Sequence, residues 1–474
     1  MDLCLTLLLI YLCSQGVSNV AVADDESIPL VPLIPSHPIE NVENEITVAP
    51  LTDVQEATAT TSRPQGGSSE EEQDEGCVSA GRSRRSRSAI AAAIQKLGVQ
   101  LLQNLDTTEQ QPNIIISPLS ISLALSQLAL GAVNETKELL MHHLHDNALP
   151  CYHDSLHNIL EHLRRNNLQI ATRIFLRQGF EPKQDFVHES QRLYKSEPAV
   201  LESLQQINDW VEKATQGKIA EILPSLPANL LLMLINAVHF KGEWKSRFDQ
   251  RFTSRGVFYL DDKHMVDVDV MEDAKHQLSL FVDEELEAQV ASFPFQKSMS
   301  FLVVLPVSGQ LNTSSLFAKL NISDLYNHLP KERTVQVKVP KFKLDYAQEL
   351  QEVLTKLGLG EVFSNPNLAE ITDGPVLVSS VVHKSSMEIN EEGAEAAAST
   401  AVVISRASNP VFHLSKPFFF ALVDDKTLVP VFMGIINNPN PGAPVLLRED
   451  HGSNDKMGFP VDKNHVSSFG VPPK

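Results

Sequence analysis

The stretch from Glu391 to Pro410 constrains the fold most, because its residues suit two different structures. It opens Glu391-Glu392-Gly393-Ala394-Glu395-Ala396-Ala397-Ala398 and passes through Ser399 and Thr400. It turns β-branched at Val402, Val403 and Ile404, then reaches Arg406. Alanine and glutamate favour helix, so residues 391–400 read as helix or loop. With a period of two, Ala394, Ala396, Ala398, Thr400, Val402 and Ile404 share one uncharged face. Glu395, Ala397, Ser399, Ala401 and Val403 take the other face, where the charge of Glu395 stays in water. The segment therefore suits an exposed loop in one state and a central strand in another. A short alanine-rich helix followed by a polar loop is the simpler alternative on composition.

The flanking sequence supplies a body to receive such a strand. Leu230 to Phe240 is a long apolar run, read as a buried central strand. Phe301–Pro306, Thr334–Leu344 and Val376–His383 read as further strands. Pro417–Val423 and Val429–Ile435 read as a buried hairpin around Asp424-Asp425-Lys426-Thr427. Ile90, Ile94, Leu97, Leu101 and Leu105 form a helical stripe. Asn113 to Ser120 reads as a buried strand entering a helix that continues from Ile121 to Leu130 and stops at Gly131. Residues 136–222 are helix-rich. The fold class expected is α+β, with the folded body over residues 89–440.

The two ends differ in character. Leu3 to Cys13 is a short apolar run followed by Ala21-Val22-Ala23, which reads as a secretory signal over residues 1–23, although Met1-Asp2 offers no basic residue. Residues 24–88 read as a disordered extension. It carries an acidic run from Glu70 to Glu75, then Arg82, Arg84, Arg85 and Arg87. Those arginines read either as a processing site or as a solvated linker. Residues 441–474 read as a tail containing Lys456, Lys463 and the last residue, Lys474. No later apolar stretch has the roughly 18 residues of a membrane span, and a net charge of -20 argues against general nucleic-acid binding. The expected product is secreted and extracellular. Cys4 and Cys13 fall in the signal. That leaves Cys77 and Cys151 as an even pair for one disulfide, with two free thiols as the alternative. Asn134, Asn312 and Asn321 open glycosylation motifs.

Signals for catalysis and metals are lacking. There is no Gly-x-Ser-x-Gly, His-Glu-x-x-His or glycine-rich phosphate loop, so the chain is not read as an enzyme. His142, His143 and His145 cluster, and His153 and His157 are spaced four apart. No cysteine or carboxylate completes a ligand set at recognised spacing, so neither metal nor cofactor is expected.

Four segments in order resemble the serpin family, over roughly residues 88–440. They are Asn113–Ser126; Asn236-Ala237-Val238-His239-Phe240-Lys241-Gly242-Glu243-Trp244; Val382-His383-Lys384 through the alanine run; and Phe412–Pro439. Ser415 departs from the family's usual Asn or Asp. The resemblance implies helices packed on three β-sheets with an exposed reactive-centre loop. It makes Glu391 to Ala398 the hinge and Arg406–Ala407 the reactive bond of an inhibitor of trypsin-like proteases. It places Ser117, Ser120, Asn236 and His383 under the point where the sheet opens, and Trp244 beneath the loop's entry. Within the family the likeness is greatest to inhibitors of plasmin. That implies contacts from Lys456, Lys463 and Lys474 to plasmin's kringle domains, a Cys77–Cys151 link, and fibrin as a further partner. Two other readings stay open. The family's usual spacing from the hinge glycine falls on Ala407, which would suit an elastase-like protease. A non-inhibitory carrier or chaperone is the other, against which Ala396-Ala397-Ala398 argues.

Overall fold

A computed structural model describes residues 84–145, 149, 151–165, 168–393 and 409–448. Helix α1 (Arg84–Asn104) buries Ile90, Ile94, Leu97 and Leu101 as its stripe predicts. It begins five residues before the expected body, so Arg84, Arg85 and Arg87 lie in its first turn and not in the extension. Strand β1 (Ile114–Ile116) enters α2 (Pro118–Leu130) through Ser117, whose hydroxyl caps the helix by accepting from Ser120 N–H, with Pro118 in the first turn. Helix α2 is buried almost throughout, and its buried Ser120, Ser122, Ser126 and Gln127 all find hydrogen-bond partners. Gly131 ends it.

The next elements are α3 (Asn134–Leu144), α4 (Tyr152–Leu163), β2 (Leu168–Leu176), α5 (Gln184–Tyr194), β3 (Ala199–Val200), α6 (Leu204–Ala214) and β4 (Leu232–Lys241). Strand β2 lies inside the region expected to be helix-rich. Its Leu168, Ile174 and Leu176 face the main core, while Ala171 and Phe175 join a second cluster with Ile207 and Val211 of α6. Because both faces are covered, β2 shows no clean polar alternation. The same double burial makes β4 a continuous apolar run, as expected.

The chain continues through β5 (Thr253–Tyr259), β6 (His264–Asp283), β7 (Ala288–Pro294), β8 (Met299–Pro306), α7 (Thr313–Lys319), α8 (Ile322–His328), β9 (Arg333–Pro340), β10 (Phe342–Glu349), α9 (Gln351–Leu354), β11 (Val378–Ile389), β12 (Val411–His413), β13 (Phe418–Asp424), β14 (Pro430–Ile436) and β15 (Leu446–Leu447). Three sheets result. One runs β1-β14-β13-β8-β7-β6, a second, continuous with it through β6, joins β6 to β5, β9 and β15 and β9 to β12, and the third runs β10-β11-β4-β2-β3. The long β6 belongs to the first two, with its register broken between Asp273 and His276.

Two further expectations change. The strand read over Thr334–Leu344 is two strands, β9 and β10, which part at Lys341 and enter different sheets. The start of the tail is tied down. Leu446 and Leu447 pair antiparallel with Met265 and His264, and Arg448 N–H donates to the Lys263 carbonyl at 2.7 Å. The expected β13–β14 hairpin is present and buried.

Candidate functional site

The site is a seam in the third sheet. Strand β11 pairs parallel with β4, whereas β10–β11 and β4–β2 are antiparallel. Parallel ladders are slightly the weaker kind. A strand folding back from the end of β11 would run antiparallel to β11 and to β4. One more strand could therefore replace that parallel ladder with two antiparallel ones. Strand β11 ends at Ile389, and Asn390 to Gly393 follow it directly.

Beneath the seam, the residues read as one polar cluster do meet. His383 and Asn236 are register partners across β11 and β4, and Thr172 of β2 is the partner of Asn236 on its other side. His383 Nδ1 donates to Asn236 Oδ1 at 2.7 Å. Ser117 N–H donates to His383 Nε2 at 3.3 Å. A ring that donates through one nitrogen and accepts through the other is neutral, and burial pushes its pKa down to about 3. Ser120 Oγ donates to Asn236 Oδ1 at 2.8 Å, and Asn236 Nδ2 donates to the Ser120 carbonyl at 2.7 Å and to Thr172 Oγ1 at 3.1 Å. Ser117 Oγ donates to the Val431 carbonyl at 2.7 Å. The cluster thus ties both strands of the seam to α2, and parting β11 from β4 breaks its His383–Asn236 bond.

At the upper end of the seam, Trp244 is fully buried and stacks on Phe295 with ring centroids 4.3 Å apart. Its Nε1–H donates to the Asn390 carbonyl at 2.6 Å and its N–H to the Glu392 carbonyl at 2.9 Å. Gly393 forms a parallel bridge to Trp244. A Cβ there would lie 2.4 Å from the Trp244 carbonyl oxygen, so only glycine permits this approach.

Glu391 adds a latch that its sequence position did not reveal. Its carboxylate is nearly buried and pairs with Lys341 at 2.9 Å, while Thr253 Oγ1 donates to it at 2.8 Å. Burial opposes ionisation, but the bonds from Lys341 and Thr253 outweigh it, so the pKa lies below the usual carboxylate value. Lys341 was hidden inside what read as one strand, and Thr172 inside what read as helix. The spacing of neither pointed to the seam.

Several expected site residues lie outside the described residues: Ala394, Glu395, Ala396, Ala397, Ala398, Arg406, Ala407, Cys77, Lys456, Lys463 and Lys474. The flanks of the reactive stretch are described. On one side stands Gly393 beside Trp244. On the other, Asn409 Nδ2 donates to the Ala274 carbonyl at 3.2 Å. Cys151 is disulfide-bonded. Asn134, Asn312 and Asn321 are all exposed. Asn312 and Asn321 cap α7 and α8 through their carbonyl oxygens. His143 bonds the Leu139 and Leu357 carbonyls, and His157 bonds the Leu193 carbonyl. Among the described residues no group of three or more His, Cys, Asp or Glu could hold a metal ion, and no helix is long and apolar enough to cross a membrane.

The sequence matches the family described as serpin (serine protease inhibitor) over residues 92–439. It is 40% identical to alpha-2-antiplasmin of Bos taurus over 371 residues, covering 77% of this chain and 75% of that protein. It is 32% identical to pigment epithelium-derived factor of Homo sapiens, covering 74% of this chain and 87% of the relative. Human thyroxine-binding globulin aligns with a TM-score of 0.67 and 26% identity over 75% of this chain and 98% of its own. Mouse protein-Z dependent protease inhibitor aligns with a TM-score of 0.68 and 24% identity over 76% and 99%. Matched by that family over residues 92–439 and by relatives over most of its length, this chain belongs to the serpin family.

Proposed function

We propose that the chain is a suicide-substrate inhibitor of a trypsin-like serine protease, with plasmin as its target and fibrinolysis as the process it restrains. The observation that carries this reading is the parallel β11–β4 seam, with Asn390 to Gly393 leaving the end of β11 and Gly393 bridged to Trp244. The protease serine attacks the Arg406 carbonyl and forms an acyl-enzyme. Cleavage at Arg406–Ala407 frees residues 394–406 from their downstream anchor at Asn409. They then fold back at Gly393 and enter the seam. At ~3.3 Å per residue this strand spans roughly 40 Å, which carries the tethered protease far from its starting point. On the alternation described above, Thr400 arrives on the inward face at about the level of Asn236 and His383, where a hydroxyl can join their hydrogen bonds. The chain supplies no catalytic group; the nucleophile belongs to the protease.

The choice of plasmin draws on the antiplasmin relatives and on the arginine at the bait position. Lys456, Lys463 and Lys474 serve the kringles in this reading, and fibrin is a further partner. Secretion is supported by the apolar run Leu3–Cys13 and by the bonded state of Cys151, for which Cys77 is the partner. Asn134, Asn312 and Asn321 carry the glycans.

The test is incubation with plasmin, followed by a denaturing gel and the mass of the released peptide. A covalent complex and a peptide beginning at Ala407 are expected. The one-residue offset from the family's usual spacing favours a second reading, with Ala407 as bait for an elastase-like enzyme; a peptide beginning at Ser408 would establish it.

A further inference from the structure

Three residues along the same strands, and on the opposite face, lies a second polar row. Gln169 of β2, His239 of β4 and Ser386 of β11 stand side by side in the pairing register. His239 is 2% exposed and Ser386 is fully buried. Neither ring nitrogen of His239 has a hydrogen-bond partner among the described residues, nor has Ser386 Oγ or Gln169 Oε1. The inward row is the opposite case, since both nitrogens of His383 are bonded. On the same face Ala237 and Val382 join the second apolar cluster, and Arg173, Lys241, Lys384 and Glu388 share its alternation. The segment after α6 is tied to β11 there, with Lys384 Nζ donating to the Glu221 carbonyl at 2.6 Å. Buried polar groups without partners destabilise the state that buries them. Here that state is the closed seam, because His239 and Ser386 sit on the two strands that must part.

We propose that His239, together with Ser386, is a positioning residue for loop insertion, keeping the closed seam metastable so that parting β11 from β4 is favoured. The role depends on the insertion reading above and extends it to a residue outside hinge and cluster. It also makes opening sensitive to acid. Burial first, and then Lys218 of the segment after α6, hold the pKa of His239 down to about 4; Lys343 of β10 acts with them, while Glu388 of β11 and Asp345 of β10 oppose. A ring reaching water as the strands separate returns toward the ordinary value near 6.5. The lowered pKa belongs to the closed form. Its advantage is therefore full above about pH 6.5 and is lost as pH falls toward 4. Between about pH 7.5 and pH 5 the opening equilibrium gains up to about 30-fold from this one group.

A synthetic peptide of residues 394–406, added to the full chain, competes for the seam, and its incorporation is read on native gels. Wild type should take it up ~10-fold faster or more at about pH 5 than at about pH 7.5. His239→Phe, which removes both unpaired nitrogens, should slow uptake ~10-fold at the higher pH and lose most of the acid effect. Ser386→Ala should slow uptake and keep the acid effect. A His239→Phe chain with wild-type rates, or with an unchanged pH ratio, overturns the proposal. If no form of the chain takes up the peptide, the insertion reading fails, and His239 is then judged on thermal unfolding of the intact chain. A raised midpoint in His239→Phe, with a smaller drop between the two pH values, supports the unpaired row as the source of metastability. Equal midpoints and equal drops overturn it.

Discussion

His383 of β11 donates from Nδ1 to Asn236 Oδ1 of β4 at 2.7 Å, across the parallel β11–β4 ladder of the third sheet. The bond is made by a neutral ring, so it sets a pH dependence. The folded-state pKa, about 3, lies below the ordinary 6.5. The stabilisation is complete above about pH 6.5 and declines as pH falls toward 3. At about pH 4.5 the loss should be roughly 2–3 kcal/mol. Thermal unfolding from pH 7.5 to 4.5 should therefore fall less steeply in His383→Gln than in wild type; parallel profiles would assign the acid sensitivity to other groups.

The Glu391–Lys341 pair predicts a charge-specific effect at the hinge. Glu391→Gln keeps the shape but leaves Lys341 without its anion. The cost should be about 1–2 kcal/mol, limited because Lys341 is partly in water. The double exchange Glu391→Lys with Lys341→Glu should recover part of what Glu391→Lys alone loses. Unfolding free energies of wild type, Glu391→Lys, Lys341→Glu and the double exchange give the coupling directly.

Insertion predicts that residues on the inward face of 394–404 tolerate no charge. Ala398→Glu would bury a carboxylate without a partner, costing several kcal/mol in the inserted state alone. The variant should be cleaved and released as a substrate, with intact-chain stability close to wild type. An unchanged stoichiometry of inhibition would argue against insertion.

The tail makes a prediction that the fold has refined. Leu446 and Leu447 hold its start against β6, so the useful truncation removes residues 449–474 and leaves β15 in place. Those 26 residues carry Lys456, Lys463 and Lys474. A kringle held on its lysines would raise the local protease concentration. Truncation should slow inhibition of full-length plasmin by ~10-fold or more while sparing a kringle-free protease domain. Equal slowing of both enzymes would exclude the kringle role.

Much of this was legible because local pattern and tertiary role coincide. The β13–β14 hairpin and β4 are apolar runs bounded by turn residues, and a run buried on both faces stays apolar wherever it pairs. Strand β2 was not legible. Its two faces meet different covers, α2 on one side and α6 on the other, which blurs the period. The break at Lys341 was hidden because β9 and β10 have the same character and differ only in the sheet they join. The cluster of Ser117, Ser120, Asn236 and His383 came from resemblance. Thr172 and the row of Gln169, His239 and Ser386 required the registers of β2 and β11 on β4, and Glu391's latch required the approach of Lys341 and Thr253, none of which a local sequence pattern encodes.

The central claim is that residues 394–406 become a strand between β11 and β4 after cleavage. The structure of the chain cut at Arg406–Ala407 tests this most directly. It should show residues 394–406 hydrogen-bonded antiparallel to both strands, with Asn236 and His383 no longer in contact. A cleaved chain that keeps the His383–Asn236 bond and the parallel β11–β4 ladder would contradict the account.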